Sequence, residues 1–413
     1  MEFIIKITSN SVPVYILIML GFFIAFSISW FVIPSIVNIS RSKGLCAMPN
    51  GRTSHAQATP TLGGIAVFIA LILPTVILAG EYFEFELKYI ISGFIIIFFV
   101  GIKDDILVIC PKKKLLGQIC AAVLIVVFAD IRITSLYGLF GITELHYTFS
   151  VALTVFVFIV TINSFNLIDG IDGLASGIGI LTAAVFGTWF WTTENIAYAI
   201  FSFSFIGALT AFFGLNVFGK KNKIFLGDTG SMLSGLVIAI LACRFLQLVP
   251  VTQGTITFAS APAYVFGILV IPVFDAFRLF ILRIYQGKSP FKADRQHTHH
   301  RLLQMGFTHL QSTIILLIVN IFFIIISYLF RGIGNIWLTC VILALAVLMS
   351  SLLLTLTEKR IRQPYYQYFS EFRGKINRKY KTAETTNPGR NILHPMEQVN
   401  TPMNAEIETC DHR

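Results

Sequence analysis

Long apolar runs broken by short polar islands repeat along the chain as far as residue 356. They lie near 12–35, 61–80, 87–103, 115–131, 150–167, 174–192, 195–217, 229–248, 261–285, 311–330 and 335–356. Each is roughly 17–25 residues, the length an α-helix needs to cross the ~30 Å hydrocarbon layer. A membrane β-barrel would instead need strands that alternate apolar and polar residues. SGFIIIFFVG (92–101) does not alternate. The pattern predicts an all-α polytopic integral membrane protein with about eleven transmembrane helices. The first run is too long for a signal-peptide core and no small-residue cleavage site follows it, so it is read as a retained helix.

Composition agrees. Only 13% of the 413 residues are charged and 55% are hydrophobic, against about 25% charged in soluble domains. The net charge of +10 would suggest nucleic acid in a soluble protein. Here 26 of the 31 Lys and Arg fall on the side reached after odd-numbered runs, and five on the other. Basic loops stay cytoplasmic. The N-terminus is therefore expected outside and the C-terminus inside, with the lipid bilayer as partner and no nucleic acid. Residues 1–356 read as one transmembrane catalytic domain. Residues 357–413 read as a polar, basic cytoplasmic tail, expected to be partly disordered and to touch anionic lipid. The six cysteines are scattered, without a C-x-x-C pair, and read as small apolar side chains.

The polar islands then gather on one side. Asp104 and Asp105 end the third run, where a carboxylate escapes the roughly 2.5–3.5 kcal/mol cost of a mid-membrane position. Lys112, Lys113 and Lys114 follow, as anchors at the membrane surface or as attractants for lipid phosphate. NLIDGIDG (166–173) offers Asn166, Asp169 and Asp172 at three-residue spacing, close to one face of a helical turn. These oxygen ligands suit a hard cation such as Mg²⁺; the same residues also suit a polar inter-helix turn. LGDTGS places Asp228 before an apolar helix, as an N-cap or beside an anion site. DRQHTHH (294–300) supplies Arg295, His297, His299 and His300, a set that fits phosphate or sugar oxygens, zinc, or a solvated basic loop. Pro272 predicts a kink in the ninth run. Asp275, three residues on, reads as structural, paired with Arg278 or with a freed backbone group. Acids, an amide and basic groups on one face are what phosphoryl transfer with Mg²⁺ requires.

GIKDD, NSFNLIDGIDGLASG, FLGDTGS, IPVFD and DRQHTHHRL occur in this order. Together they resemble the polyprenyl-phosphate N-acetylhexosamine-1-phosphate transferases, and look most like the bacterial undecaprenyl-phosphate N-acetylglucosamine-1-phosphate transferases. The resemblance runs from about residue 40 to 310. It implies attack by undecaprenyl phosphate on the sugar-linked phosphorus of a UDP-N-acetylhexosamine, with Mg²⁺ (or Mn²⁺) assisting and UMP leaving, at the cytoplasmic face of a bacterial inner membrane. It implies catalytic roles for Asp104 beside the lipid phosphate, with Asp105 supporting it, and for Asp169 and Asp172 near nucleotide and metal. It assigns metal ligation to Asn166 and Asp228. It assigns substrate binding to Arg295, His297, His299 and His300, and, less closely defined, to His55 and Thr59. It leaves room for a homodimer.

Two rivals belong beside this reading. The peptidoglycan relative that transfers phospho-N-acetylmuramoyl-pentapeptide carries three consecutive histidines in the last loop, as the family pattern is read, whereas this loop reads HTHHRL. An ion-coupled transporter would place acids at mid-membrane on repeated, broken helices.

Overall fold

The structure, a computed structural model, describes residues 13–47, 59–107, 109–139, 141–249, 258–287 and 297–357. All eleven apolar runs are helical. In chain order the helices are α1 (Val14–Ser42), α2 (Gly63–Pro74, running on through a wider turn at Thr75–Ala79), α3 (Glu86–Leu107), α4 (Pro111–Val123, with a similar wider turn at Leu124–Phe128), α5 (Tyr147–Ile168), α6 (Leu174–Thr192), α7 (Ile196–Phe218), α8 (Gly227–Leu248), α9 (Ala261–Ile268), α10 (Val270–Tyr285), the short α11 (Thr298–Gln304), α12 (His309–Leu329) and α13 (Asn335–Thr357).

Among the described residues seven helices are long and apolar enough to cross a membrane, or eight if the bent pair α9–α10 is one span. The runs that fall short have physical reasons. The second yields only a short apolar helix, Gly63–Ala79, and α4 gives way to a π-type turn after 13 residues. In α3 the ends carry Glu86, Lys88, Lys103, Asp104 and Asp105. The kink expected at Pro272 is a break of 84° just before it, at Leu269. Pro272 thereby falls in the first turn of α10, where its missing N–H leaves no helical bond unmade.

Local signals set other boundaries. Gly173, at φ +79°, turns the chain between α5 and α6 in a conformation that side chains disfavour. Thr308 and Gln311 form a reciprocal capping box at the start of α12. Helix α8 is the axis of the bundle: 83% of its most apolar 18-residue stretch is buried, against 17% for α13. Helices α2, α3, α5 and α6 pack around it. Outward-facing Phe31 and Trp337 are more than 70% exposed, as apolar side chains turned toward lipid are.

Small residues let three helices meet where the polar residues collect. A Cβ on Gly64 of α2 would lie 2.2 Å from the Gly230 nitrogen, and one on Gly101 of α3 would lie 2.4 Å from the Thr229 Cα. Beside them the extended pair β1 (Cys46–Ala47) and β2 (Thr59–Pro60) is tied to the chain ahead of α8. Phe225 N–H donates to Pro60 O (2.8 Å), and Gly63 and Gly64 donate back to Phe225 O and Leu226 O (3.0 and 2.9 Å). At the far ends of α3 and α8, Glu86 and Arg244 form an ion pair of 2.9 Å.

Candidate active site

The site forms where the C-termini of α3 and α5 meet the N-termini of α4 and α8. Asp105 fixes this meeting. One of its oxygens accepts the Asp228 N–H (2.7 Å), and the other accepts both the N–H and the hydroxyl of Thr229 (3.0 and 2.6 Å). Those are among the amides a helix start leaves without intrahelical partners. Asp105 thus joins two sequence motifs 123 residues apart, and both its oxygens are committed to doing so.

Asp104, adjacent in sequence and buried, points elsewhere. One oxygen accepts the Ile109 N–H (2.8 Å), and the other lies 2.9 Å from the Lys114 ammonium. Lys114 Nζ is also 2.5 Å from Asp228 Oδ1 and 3.4 Å from Asn166 Oδ1. The Asn166 amide donates to the same Asp228 oxygen (2.5 Å) and to the Ser231 hydroxyl (2.9 Å). Oxygens from Asp104, Asn166 and Asp228 therefore converge on one cation, although they lie on three helices.

Asp169 follows the last residue of α5. Its carboxyl is pushed well above the ordinary carboxylate range, first by burial and then by the neighbouring charges of Asp228, Asp105 and Asp172. Asp172 stands apart from the three converging oxygens. It pairs with Lys223 (2.6 Å) and lies 3.5 Å from His309 Nδ1, and its carbonyl accepts the Thr313 hydroxyl (2.7 Å). Asn216 fastens the two Gly-rich motifs, accepting from Gly173 N–H and donating to Ile224 O, each at 2.7 Å.

The histidines arrive beside this group on α11. The rings of His297 and His299 stack at 5.6 Å, and those of His299 and His300 lie 4.3 Å apart. His299 is 1% exposed, and a Cβ on Gly170 would sit 2.3 Å from its Nε2. That glycine lets the ring lie directly on the IDGIDG backbone. Burial first, then the neighbouring His300, holds His299 down to about 3, so it is neutral at pH 7. Its Nε2 finds no hydrogen-bond partner among the described residues.

The structure thus brings together Asp104, Asp105, Asn166, Asp169 and Asp228, with His299 against the same loop. Thr59 is a buried residue of β2, paired with Ala47, next to the Pro60 carbonyl that holds Phe225. His55 and Arg295 lie outside the described residues. The central place of Lys114 is not singled out in the sequence. Its one signal is electrostatic: Lys112, Lys113 and Lys114 occupy the first turn of α4, where cations oppose the helix dipole by about 0.3–1 kcal/mol each. A lysine at such a position needs an acidic partner, and Lys114 has two.

The donor set can be tested against Mg²⁺. Among the described residues no three His, Cys, Asp or Glu side chains are grouped so as to hold a metal ion. Two carboxylates and a carboxamide oxygen do converge, and an ammonium group stands between them as a cation would. Few protein oxygens and open remaining positions fit an ion that keeps waters and shares phosphate oxygens.

Residues 87–246 match the sequence model described as glycosyl transferase family 4. Over 281 residues the chain is 31% identical to the undecaprenyl-phosphate alpha-N-acetylglucosaminyl 1-phosphate transferase of Escherichia coli (strain K12), covering 67% of this chain and 74% of the relative. The protein of the same name from Salmonella typhi is 34% identical, with 66% and 73% covered. A probable undecaprenyl-phosphate N-acetylglucosaminyl 1-phosphate transferase of Bacillus subtilis (strain 168) is 28% identical, with 88% and 94% covered.

Proposed function

We propose that this chain, which belongs to glycosyl transferase family 4, transfers N-acetylglucosamine 1-phosphate from UDP-N-acetylglucosamine to undecaprenyl phosphate. The observation that carries the reading is the convergence of Asp104, Asn166 and Asp228 on one cationic centre at a single end of the bundle. The names of the relatives supply the acceptor and the transferred group; a UDP-linked donor is what that reaction implies.

In the reaction a phosphate oxygen of the lipid bonds to the sugar-linked phosphorus. The bond from that phosphorus to the bridging oxygen breaks, and UMP leaves with the electron pair. The acceptor oxygen is already largely ionised near pH 7, so Asp104 serves to orient it or to take a last proton. Asp228 and Asn166 would hold Mg²⁺, which when bound neutralises the diphosphate. Lys114 offers a second positive charge to the phosphates once they enter. Asp105 holds the start of α8, and hence Asp228, in register with Asp104. His299 and its neighbours on α11, with Arg295, would receive the UDP-sugar. Asp169, crowded by three carboxylates, is suited to holding a proton near the nucleotide. Asp172, with Lys223, anchors the second half of its loop and lines the nucleotide region.

Lys112, Lys113 and Lys114 open α4 at this end, and Lys223 pairs there with Asp172. Basic residues gather on the cytoplasmic side of a membrane, which supports a site on the cytoplasmic face of a bacterial inner membrane with the N-terminus outside. A transporter would gather its acids at mid-membrane; these sit at helix ends.

The test uses full-length protein in detergent with radiolabelled UDP-N-acetylglucosamine, undecaprenyl phosphate and Mg²⁺. Labelled lipid and an equal amount of UMP should form. Chelation should stop both, Mg²⁺ should restore them and Mn²⁺ should substitute. UMP release independent of acceptor and metal would remove the reading, and preference for a UDP-muramoyl-pentapeptide would redirect it.

A further inference from the structure

Asp275 lies in the second half of the broken span, with Val273, Phe274, Ala276 and Phe277 as its neighbours in sequence, and it is 4% exposed. A carboxylate buried there is costly unless it is paired. Arg278, one turn on, pairs with Asp275 Oδ1 at 3.0 Å. The other contacts come from a different element. His297 Nδ1 lies 2.9 Å from Asp275 Oδ2, the Thr298 N–H donates to Oδ1 at 3.1 Å, and the Thr298 hydroxyl donates as well. Asp275 therefore reaches from α10 to the beginning of α11.

This contact has a chemical consequence. A carboxylate on Nδ1 makes that nitrogen the donor and leaves Nε2 as the nitrogen open to a ligand. It also fixes the plane of the ring, on which His299 stacks at 11°. His299 in turn lies on Gly170, beside Asp169. The line from Asp275 through His297 and His299 thus ends at the carboxylate group of the active site.

We propose that Asp275 is a positioning residue of the donor site. It holds His297 in one tautomer and pins the start of α11, so that the histidine cluster meets the UDP-sugar in a single arrangement. The inference rests on the transferase reading above and adds a role for a residue that acts through His297 and Thr298.

The experiment compares Asp275→Asn, His297→Gln and the double variant of the full-length enzyme. Steady-state kinetics are measured separately for UDP-N-acetylglucosamine and for undecaprenyl phosphate. Asp275→Asn keeps the side-chain shape but reverses the hydrogen-bond sense at Nδ1. It should lower kcat/KM for the donor on the order of 10–100-fold and leave the KM of the acceptor unchanged, while the thermal midpoint falls because the buried Arg278 loses the charge it faces. The double variant should lose no more than the worse single variant, because the two residues act as one unit. A purely structural Asp275 would depress both substrates together; that result, unchanged donor kinetics, or losses that multiply in the double variant would overturn the proposal. Should Asp275→Asn fail to fold, Asp275→Glu keeps the charge for Arg278 while moving it by one methylene, and the same split between donor and acceptor decides. Absence of transfer by the unaltered enzyme overturns the transferase reading, and this inference with it; normal transfer without the split overturns this inference alone.

Discussion

The Lys114 ammonium lies 2.5 Å from Asp228 Oδ1, joining the first turn of α4 to the first turn of α8 across 114 residues of sequence. The same ammonium holds Asp104 at 2.9 Å. A cation shared by two carboxylates neutralises repulsion that would otherwise spread the site, and it occupies space that a divalent ion would contest.

Lys114→Met should therefore do two things at once. Turnover should fall about 10²–10³-fold, the size of effect seen when one preorganised donor that stabilises developing charge is removed. The Mg²⁺ concentration for half-maximal rate should fall as well, because the ammonium no longer competes for Asp228. A Mg²⁺ titration of UMP release measures both. Lys112→Met and Lys113→Met, at exposed positions, should leave both nearly unchanged. Equal effects from all three lysines would show that only the general basic charge matters.

Asp104 and Asp105 should separate by phenotype although they are neighbours. Removing the Asp105 carboxylate orphans the Asp228 and Thr229 amides, at about 1–3 kcal/mol for each group that water cannot reach. Asp105→Ala should lower the thermal midpoint in detergent as well as the activity. Asp104→Ala leaves the α8 start intact, so activity should fall while the midpoint moves less. Thermal unfolding of the two variants, side by side, decides.

Much of this was legible in sequence because a membrane imposes long periods and sidedness. Apolar runs locate the helices to within a few residues. Asp104, Asn166 and Asp228 stand out because carboxylates and amides at the ends of apolar runs are rare without a task. Pairings were less legible. Nothing in the sequence says that Asp105 caps α8, that Asp275 reaches His297, or that Asp172 pairs with Lys223, because each depends on which helices pack side by side. Lys114 was masked by its company: two lysines beside it do what lysines ordinarily do at a membrane surface. The break at Leu269, rather than at Pro272, was also hidden, since a proline tolerates the first turn of a new helix as readily as it bends an old one.

His299 gives the fold a pH dependence whose sign can be worked out. Its folded-state value is about 3, depressed by burial, against about 6.5 in an unfolded chain. Between those values the unfolded state binds the extra proton, so stability rises with pH. The contribution is complete above about 6.5 and is lost progressively as pH falls toward 3. The thermal midpoint should drop on going from pH 7.5 to pH 5, and the drop should be smaller in His299→Gln. An identical drop in that variant would assign the pH dependence to the carboxylates.

Gly101→Ala tests whether the approach of α3 to α8 sets the site. The added Cβ would meet the Thr229 Cα at 2.4 Å and its nitrogen at 2.9 Å. These are backbone atoms of a helix start, which cannot swing aside as a side-chain tip can. Relief requires α3 and α8 to separate, and such overpacking costs about 1–3 kcal/mol. Asp104 and Asp105 ride on α3 one turn beyond Gly101, whereas Asp228 rides on α8, so separation lengthens the very contacts that align them. Gly214→Ala is the control, because its Cβ would meet only Trp30 at 3.6 Å, an ordinary contact. Turnover of Gly101→Ala should fall at least tenfold, about 1.4 kcal/mol in barrier, with Gly214→Ala near the parent. Full turnover in Gly101→Ala would mean that the two helices tolerate separation, and that the Asp105 cap does not hold the catalytic geometry.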